Sequence, residues 1–193
     1  MSHRAQRIFC KKVRKLFPEH FRTSYVVDVG SFDVNGNNRN LFRKCLYVGM
    51  DVYPGKNVDF VGPAHIRMVD VLEKFRMAQW HAYRQRTDAT PRYADTIIST
   101  EALEHDKFLP QTLIAIYNAV RPGGLILITC AGDGRPEHGT EKCRPQDSPG
   151  TTDYYRNVSN EMFAEIFPAG LFKVYHLEQN KENCDLQFYG IKK

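Results

Sequence analysis

The sequence predicts an α/β protein with a mainly parallel sheet, and three features carry this prediction. A short apolar strand at 25–29 runs into a turn that contains Gly30 and Gly36. A second strand ends in an acid, Asp51, about 20 residues further on, a spacing typical of α/β sheets that bind nucleotides. The turn at 121–124 leads into the most apolar strand of the chain. Because strands that alternate with helices usually pair in parallel, we expect a sheet covered on both faces.

Length and composition indicate one globular domain spanning residues 1–193. The chain has 42% hydrophobic and 25% charged residues, and no run of about 18 apolar residues that predicts a membrane span. Its N-terminus lacks the apolar core of a secretory signal. The five cysteines are scattered and include no Cys-x-x-Cys pair, so neither a zinc ribbon nor a disulfide framework is expected. A reducing, cytoplasmic setting fits these features.

The net charge of +5 is concentrated at the N-terminus, where residues 1–22 hold seven Lys or Arg side chains against one acid, Glu19. The pattern over 4–17 predicts a basic amphipathic helix that Pro18 ends. Its apolar side is predicted to hold Ile8, Val13, Leu16 and Phe17. The basic side is interpreted either as a solvated helix face or as a contact for phosphates or an anionic substrate.

The other elements alternate as an α/β sheet requires. The first half is predicted to contain strands at 25–29, 45–50 and 58–61, a helix at 37–45, and a helical pattern in 70–90 that includes Trp80 and turns into a polar surface excursion at 84–88. The second half is predicted to contain strands at 94–99 and 125–130 with a helix at 110–120 between them. A long loop at 131–157 follows, and then a helix capped by Ser159. The chain is predicted to close with an antiparallel hairpin of strands at 171–177 and 186–191. The prediction is therefore a seven-stranded sheet.

Polar residues at the strand ends indicate a ligand site. Gly30 and Gly36 remove side-chain bulk where a ligand would lie against backbone. Asp28 stands inside an apolar strand, where a carboxylate is unfavourable unless it accepts hydrogen bonds. Asp51 is placed to accept hydrogen bonds from both hydroxyls of a ribose. The alternatives are an ordinary tight turn and a solvated loop acid.

Four segments of the chain resemble the class I S-adenosylmethionine-dependent methyltransferase family, whose fold is Rossmann-like. They are VVDVGSFDVNG (26–36), YVGMDVYPGKNVDF (47–60), ADTIISTEALEHD (94–106) and AVRPGGLILITCAG (119–132). The first turn is also similar to a bacterial and phage-type subgroup with a Gly-Ser-(Tyr/Phe)-Asp-Val-Asn-Gly sequence. It departs from the usual Gly-x-Gly-x-Gly of the family, since Phe32 and Asp33 replace small residues.

The resemblance implies a cofactor, S-adenosylmethionine, and a set of residues that bind it. Asp28, Gly30 and Ser31 would line its methionine part, with Gly36 completing the turn, and Asp33 would either reach its ammonium group or cap a helix. Asp51 would hold the ribose, and Val52 and Tyr53 would flank the adenine. Ser99, Thr100 and Glu101 would lie near the sulfonium and its amino-acid tail. Glu104 and His105 match a Glu-His pair of the family that supports a helix start.

Methyl transfer needs alignment of the acceptor with an already activated donor, together with proton removal from an OH or NH acceptor. We expect the acceptor under loop 131–157, in which His138 is the candidate base because imidazole titrates near neutrality. The same loop offers substrate contacts through Arg135, Glu137, Tyr154, Tyr155 and Arg156. No metal is expected.

Three other functions compete with that of a methyltransferase of small molecules or glycans. An RNA or DNA methyltransferase is suggested by the basic helix, but the chain has no Asp/Asn-Pro-Pro-Tyr or Pro-Cys motif and little room for the structure that base flipping requires. An intact Asp51 and the polar loop argue against a non-catalytic cofactor-binding or scaffolding protein. A nicotinamide dehydrogenase would need the three glycines that let a pyrophosphate approach.

Overall fold

A computed structural model describes residues 4–82 and 93–193, and for residues 79–82 it describes the backbone alone. The predicted polar excursion at 84–88 and the side chain of Trp80 lie outside this described part. Within it, no helix is both long enough and apolar enough to cross a membrane. The cytoplasmic setting stays a prediction.

Among the described residues, seven strands form one sheet, as predicted. They are β1 (Tyr25–Val29), β2 (Leu46–Asp51), β3 (Phe60–Val61), β4 (Ala94–Thr100), β5 (Val120–Ala131), β6 (Phe172–Asn180) and β7 (Asp185–Lys192). Their order across the sheet is β3-β2-β1-β4-β5-β7-β6. The first five strands pair in parallel, and β7 pairs antiparallel with both β5 and β6. The chain moves outward from β1 to β3 and then returns to β4 on the other side of β1, which creates a switch point between β1 and β4.

Helices cover both faces of the sheet. They are α1 (Arg4–Leu16), α2 (Ala64–Ala82), α3 (Leu109–Ala119) and α4 (Asn160–Ile166). The helix at α4 begins as predicted, because the Ser159 hydroxyl accepts a hydrogen bond from the Met162 amide. One apolar core lies between the sheet and α2, α3 and α4, and the other lies under α1. Successive residues 125–128 of β5 alternate between these two cores, which is why this part of the strand is a continuous apolar run.

The buried face of α1 differs from the prediction. Val13 is buried and Phe17 is half-buried, but Ile8 and Leu16 are 57% and 50% exposed. The residues that face the sheet are Gln6, Phe9, Cys10 and Val13. Their spacing of three and four residues is that of one helix face. The apolar pattern did not indicate this face because one of its members, Gln6, is polar. The side-chain amide of Gln6 is buried and contacts Asn38.

The predicted helix at 37–45 is wrong, since only a 3₁₀ turn at Arg39–Leu41 forms there. The Asn37 side chain accepts a hydrogen bond from the Arg39 amide, and the Asn38 side chain donates to Thr100. Asparagine side chains that bond in this way favour turns over helix. The chain then extends so that the Arg43 amide donates to the Phe21 carbonyl.

The corrected orientation of α1 predicts opposite effects for two adjacent residues. We expect Phe9→Ala to lower the free energy of unfolding by about 3–5 kcal/mol, because it leaves a cavity against β7 and the core under α1. Ile8→Ala should change it by less than about 0.5 kcal/mol, because that side chain is exposed. Urea unfolding of both variants checks this, and equal destabilisation would contradict the orientation.

Candidate active site

A cavity of about 240 Å³ opens at the carboxyl ends of β1, β2 and β4, beside the switch point. This is the edge at which open parallel sheets bind ligands. Its walls come from the turn after β1, the end of β2, the start of α2, the segment after β4 and part of loop 131–157. They consist of residues 28–32, 34–38, 50–52, 62–64, 100–103, 105–108, 147–151 and 153.

Gly30 lets the turn after β1 approach two other segments. Its φ of +78° lies in the left-handed region, and a Cβ at this position would overlap the Cβ of Ala102. The amides of Gly30 and Ser31 both donate to the Met50 carbonyl, at 2.9 and 3.1 Å. The Ser31 hydroxyl donates to the Asn57 carbonyl at 2.9 Å. The turn is therefore attached to β2 and adjoins the segment after β4.

Asp51 is held with its carboxylate at the cavity. One oxygen accepts the Phe32 amide and the other accepts the Tyr53 amide, both at 3.0 Å. Burial raises the pKa of Asp51, and these amide hydrogen bonds act in the opposite direction. The two carboxylate oxygens offer about four acceptor sites in all, so the carboxylate can accept further hydrogen bonds from a ligand.

Asp28 also lines the cavity but is 2% exposed. One of its oxygens accepts a hydrogen bond from the Tyr47 hydroxyl, and the other has no hydrogen-bond partner within the described chain. Burial is the main reason that the pKa of Asp28 rises to about 7, while the Tyr47 hydrogen bond opposes the rise. Sequence reasoning missed Tyr47, because a tyrosine inside a strand resembles any core residue.

The structure separates the predicted cofactor residues into two groups. The cavity is lined by Asp28, Gly30, Ser31, Gly36, Asp51, Val52, Thr100 and Glu101, and it is not lined by Asp33, Tyr53 or Ser99. The carboxylate of Asp33 is used inside the turn, where it accepts from the Gly36 amide and the Asn37 side chain and pairs with Lys56 at 2.8 Å. The helix that Asp33 was expected to cap does not form, so these contacts stabilise the turn itself, and a contact of Asp33 with an ammonium group stays a prediction. The Tyr53 ring lies against Phe32, 5.6 Å between centroids, and Ser99 is buried in β4.

Glu101 follows β4 with a φ of +55°. It is 7% exposed and accepts a hydrogen bond from the Thr129 hydroxyl at 3.1 Å. The guanidinium of Arg135 lies 3.9 Å from its other oxygen. A non-glycine residue in the left-handed region is uncommon and often marks a functional position.

Loop 131–157 contributes to the cavity through a different part than predicted. Residues 147–151 and Asp153 line the cavity, but Arg135, Glu137, His138, Tyr154, Tyr155 and Arg156 do not. Most of the predicted side chains make contacts within the protein. Arg135 pairs at 2.6 Å with the buried Asp185, Glu137 accepts from Thr140, and the Tyr155 hydroxyl donates to the Pro136 carbonyl. Tyr154 and Arg156 line a neighbouring cavity of about 210 Å³. Their roles in substrate binding stay predictions.

His138 lies in a buried group with Glu104 and His105, which are 3%, 0% and 5% exposed. His105 is the member that lines the cavity. Burial lowers the pKa of both imidazoles, that of His105 to about 4, so both rings are neutral at pH 7. Burial also raises the pKa of Glu104 to about 8, and the charge of Glu101 adds to the rise.

Comparison with known proteins shows to which family this chain belongs. A family model described as a methyltransferase domain matches residues 1–161. The chain belongs to this methyltransferase family. The predicted enzyme class is thereby confirmed, while the bacterial and phage-type subgroup stays a prediction. Among curated protein sequences, none matches the chain.

Solved methyltransferase structures share the fold. The 1,6-didemethyltoxoflavin-N1-methyltransferase of Burkholderia thailandensis, solved with 1,6-didemethyltoxoflavin and S-adenosylhomocysteine, has a TM-score of 0.55 and 16% identity, covering 98% of this chain and 78% of its own. The N-methyltransferase NodS of Bradyrhizobium japonicum WM9, with S-adenosylhomocysteine, has a TM-score of 0.52 and 12% identity, covering 95% and 87%. Phosphoethanolamine N-methyltransferase 2 of Haemonchus contortus, with S-adenosyl-L-methionine, has a TM-score of 0.51 and 15% identity, covering 94% and 52%. The predicted Rossmann-like methyltransferase fold is confirmed.

Asp28 gives the methyltransferase a predicted pH dependence of stability. Its pKa is about 7 in the folded protein and about 3.9 in an unfolded chain. The folded state therefore keeps a proton that the unfolded state loses between these values, and the stabilising contribution present below pH 4 disappears as pH rises through 7.

We expect Asp28→Asn to remove this slope, which approaches about 1.4 kcal/mol per pH unit for one proton. Asparagine keeps an oxygen that accepts from Tyr47. Urea unfolding of both proteins from pH 4.5 to 8 measures the difference, and parallel stability curves would show that Asp28 is not the titrating group.

Proposed function

We propose that this methyltransferase moves a methyl group from S-adenosylmethionine to an oxygen or nitrogen atom of a small molecule or glycan. The observation that carries the proposal is the Asp51 carboxylate, which two backbone amides fix at the edge of the cavity. An acid at the end of the second strand is where this sheet type binds a ribose. Its remaining acceptor sites fit two vicinal hydroxyls.

The walls of the cavity fit the rest of the cofactor. Val52, 41% exposed, offers an apolar surface for the adenine beside Asp51. Gly30 and Ser31 line the cavity where the methionine part would lie, and the Glu101 carboxylate supplies negative charge for an ammonium group. When bound, the sulfonium supplies the activated methyl group, and the chain's residues bind and orient it.

Support for a small acceptor comes from the structural neighbours. Two of them are named for methylating nitrogen in small molecules, 1,6-didemethyltoxoflavin and phosphoethanolamine. In this chain, residues 147–151 of loop 131–157 line the cavity, and we propose that the acceptor binds beside them. His138 as the base stays a prediction. It does not line the cavity, so a proton would have to reach it through His105 or Glu104.

The proposal is tested by calorimetric titration with S-adenosylmethionine and S-adenosylhomocysteine. We expect micromolar binding by the native protein. Asp51→Ala should weaken it roughly 10- to 100-fold, because a hydrogen bond to a charged group contributes about 1.5–3 kcal/mol.

Asp70→Ala is the matched control, since Asp70 pairs with Arg67 on α2 outside the cavity lining. Unfolding curves of both variants establish that they fold. Absence of binding by the native protein, or equal binding by Asp51→Ala, would overturn the cofactor assignment.

A nucleic-acid acceptor is the second candidate, favoured by the position of α1. Arg7 donates to the Asn35 carbonyl at 2.9 Å, and Asn35 lines the cavity, so the basic helix adjoins the site. Lys11, Lys12 and Lys15 are exposed on it. They are available to contact a phosphate backbone.

This candidate predicts oligonucleotide binding that weakens steeply with salt. The variant Lys11→Gln/Lys12→Gln/Lys15→Gln should reduce the slope of log affinity against log salt by about two to three. Fluorescence anisotropy with labelled RNA and DNA measures it. No binding at low salt would exclude the candidate and leave the small-molecule acceptor.

A further inference from the structure

Three buried side chains that favour metal ions converge beside the cavity. One ligand atom each from Glu104, His105 and His138 lies within 4.8 Å of the other two. The Nε2 atom of His138 is 3.7 Å from a carboxylate oxygen of Glu104. Ligand atoms of one tetrahedral zinc ion lie about 3.4 Å apart when the bonds are about 2.1 Å long. The pair at 3.7 Å is near that separation, and the widest pair would have to close by up to about 1.4 Å.

Both imidazoles are held in the tautomer that a metal site needs. Nδ1 of His105 lies 3.1 Å from the Tyr154 carbonyl, and Nδ1 of His138 lies 3.1 Å from the Pro136 carbonyl. A carbonyl only accepts, so each ring donates from Nδ1 and carries its lone pair on Nε2. Histidines that bind metals typically donate their second N–H to a carbonyl in this way.

Glu104 is buried without compensation from the protein. Its side chain is 0% exposed, and neither carboxylate oxygen has a hydrogen-bond partner within residues 4–82 and 93–193. Nε2 of His138 is likewise unpartnered there. Buried acids are normally paired, hydrogen-bonded or bound to metals, so a carboxyl group and an imidazole nitrogen that lie 3.7 Å apart without a hydrogen bond are unexpected in a closed structural network.

We propose that Glu104, His105 and His138 bind one divalent transition-metal ion of the zinc type. Two imidazoles and one carboxylate are a known ligand set for zinc, and the fourth position is left for water or a substrate atom. Imidazole is a poor ligand for Mg²⁺, which prefers oxygen. Because His105 also lines the cavity, the ion would lie at the wall of the proposed acceptor site.

The sequence alone did not indicate this site, since Glu104 and His105 are adjacent and His138 is far along the chain. The loop brings His138 back because two backbone hydrogen bonds fix its end: the Arg156 amide donates to the Glu104 carbonyl and the Val158 amide to the Ala131 carbonyl. Gly139, with a φ of +66°, leaves room for the His105 ring, which a Cβ there would contact at 2.8 Å.

The test is metal content and affinity of the full chain. After dialysis against a chelator, the native protein is titrated with Zn²⁺ and Co²⁺ by calorimetry and with Mg²⁺ as the oxygen-preferring comparison. The visible absorption of bound Co²⁺ reports its coordination. Glu104→Gln and His138→Gln keep side-chain size and remove one ligand each. The control His176→Gln removes a half-buried histidine on β6 that lies 3.3 Å from Glu178, outside the cluster.

We expect one equivalent of Zn²⁺ or Co²⁺ in the native protein and in His176→Gln, at least a 100-fold loss of affinity in Glu104→Gln and His138→Gln, and no comparable binding of Mg²⁺. Native protein that binds neither ion, or Glu104→Gln that binds as tightly, would overturn the site. Titration with S-adenosylhomocysteine on the same samples keeps the two proposals separate, because cofactor binding without metal binding refutes only this one.

Discussion

The turn after β1 is attached to the end of β2 through backbone amides, and the shape of the site depends on this attachment. Gly30 and Ser31 donate to the Met50 carbonyl, and Phe32 donates to the Asp51 carboxylate. The same turn that forms one wall of the cavity therefore orients the acid on the other. A side chain at residue 30 would overlap Ala102 and force the turn away from β4. Three strand ends are thus fixed relative to one another before any ligand binds, which lowers the entropic cost of ordering a site.

Most of the burial in this fold is apolar, but the carboxyl edge of the sheet holds an unusual number of buried ionisable groups. Asp28, Glu101, Glu104, His105 and His138 are all less than a tenth exposed. Each is unfavourable there unless a partner compensates for lost hydration. Several ionisable groups with shifted pKa values in one cleft indicate a functional site more strongly than a single such group does. The opposite edge of the sheet has a simpler arrangement, in which Arg121 pairs with Asp95 at 2.6 Å.

The seven strands, their mainly parallel pairing and the cavity edge could be predicted from sequence because they depend on local signals: apolar runs, Gly30, and an acid such as Asp51 at a strand end. The failures lie where tertiary contacts override those signals. The asparagines at 37 and 38 look compatible with a helix but bond to backbone and to Thr100 instead. Ile8 looks like a core residue, yet Gln6 takes the buried place. In loop 131–157, no periodic pattern indicates which side chains point to the cavity. Arg135 was therefore predicted to contact the substrate, although it forms an ion pair with Asp185.

The position of the histidine group bears on how a methyltransferase could use it. The methyl group leaves a sulfonium that is already activated, so donor chemistry needs no further charge from the protein. The acceptor, by contrast, must lose a proton when it is an OH or NH group. Both imidazoles are neutral and fixed by carbonyls, and only His105 reaches the cavity. A cation bound by the group would stabilise a deprotonated acceptor without any movement of His138. The buried geometry of His138 therefore favours a ligand over a base that exchanges protons with solvent.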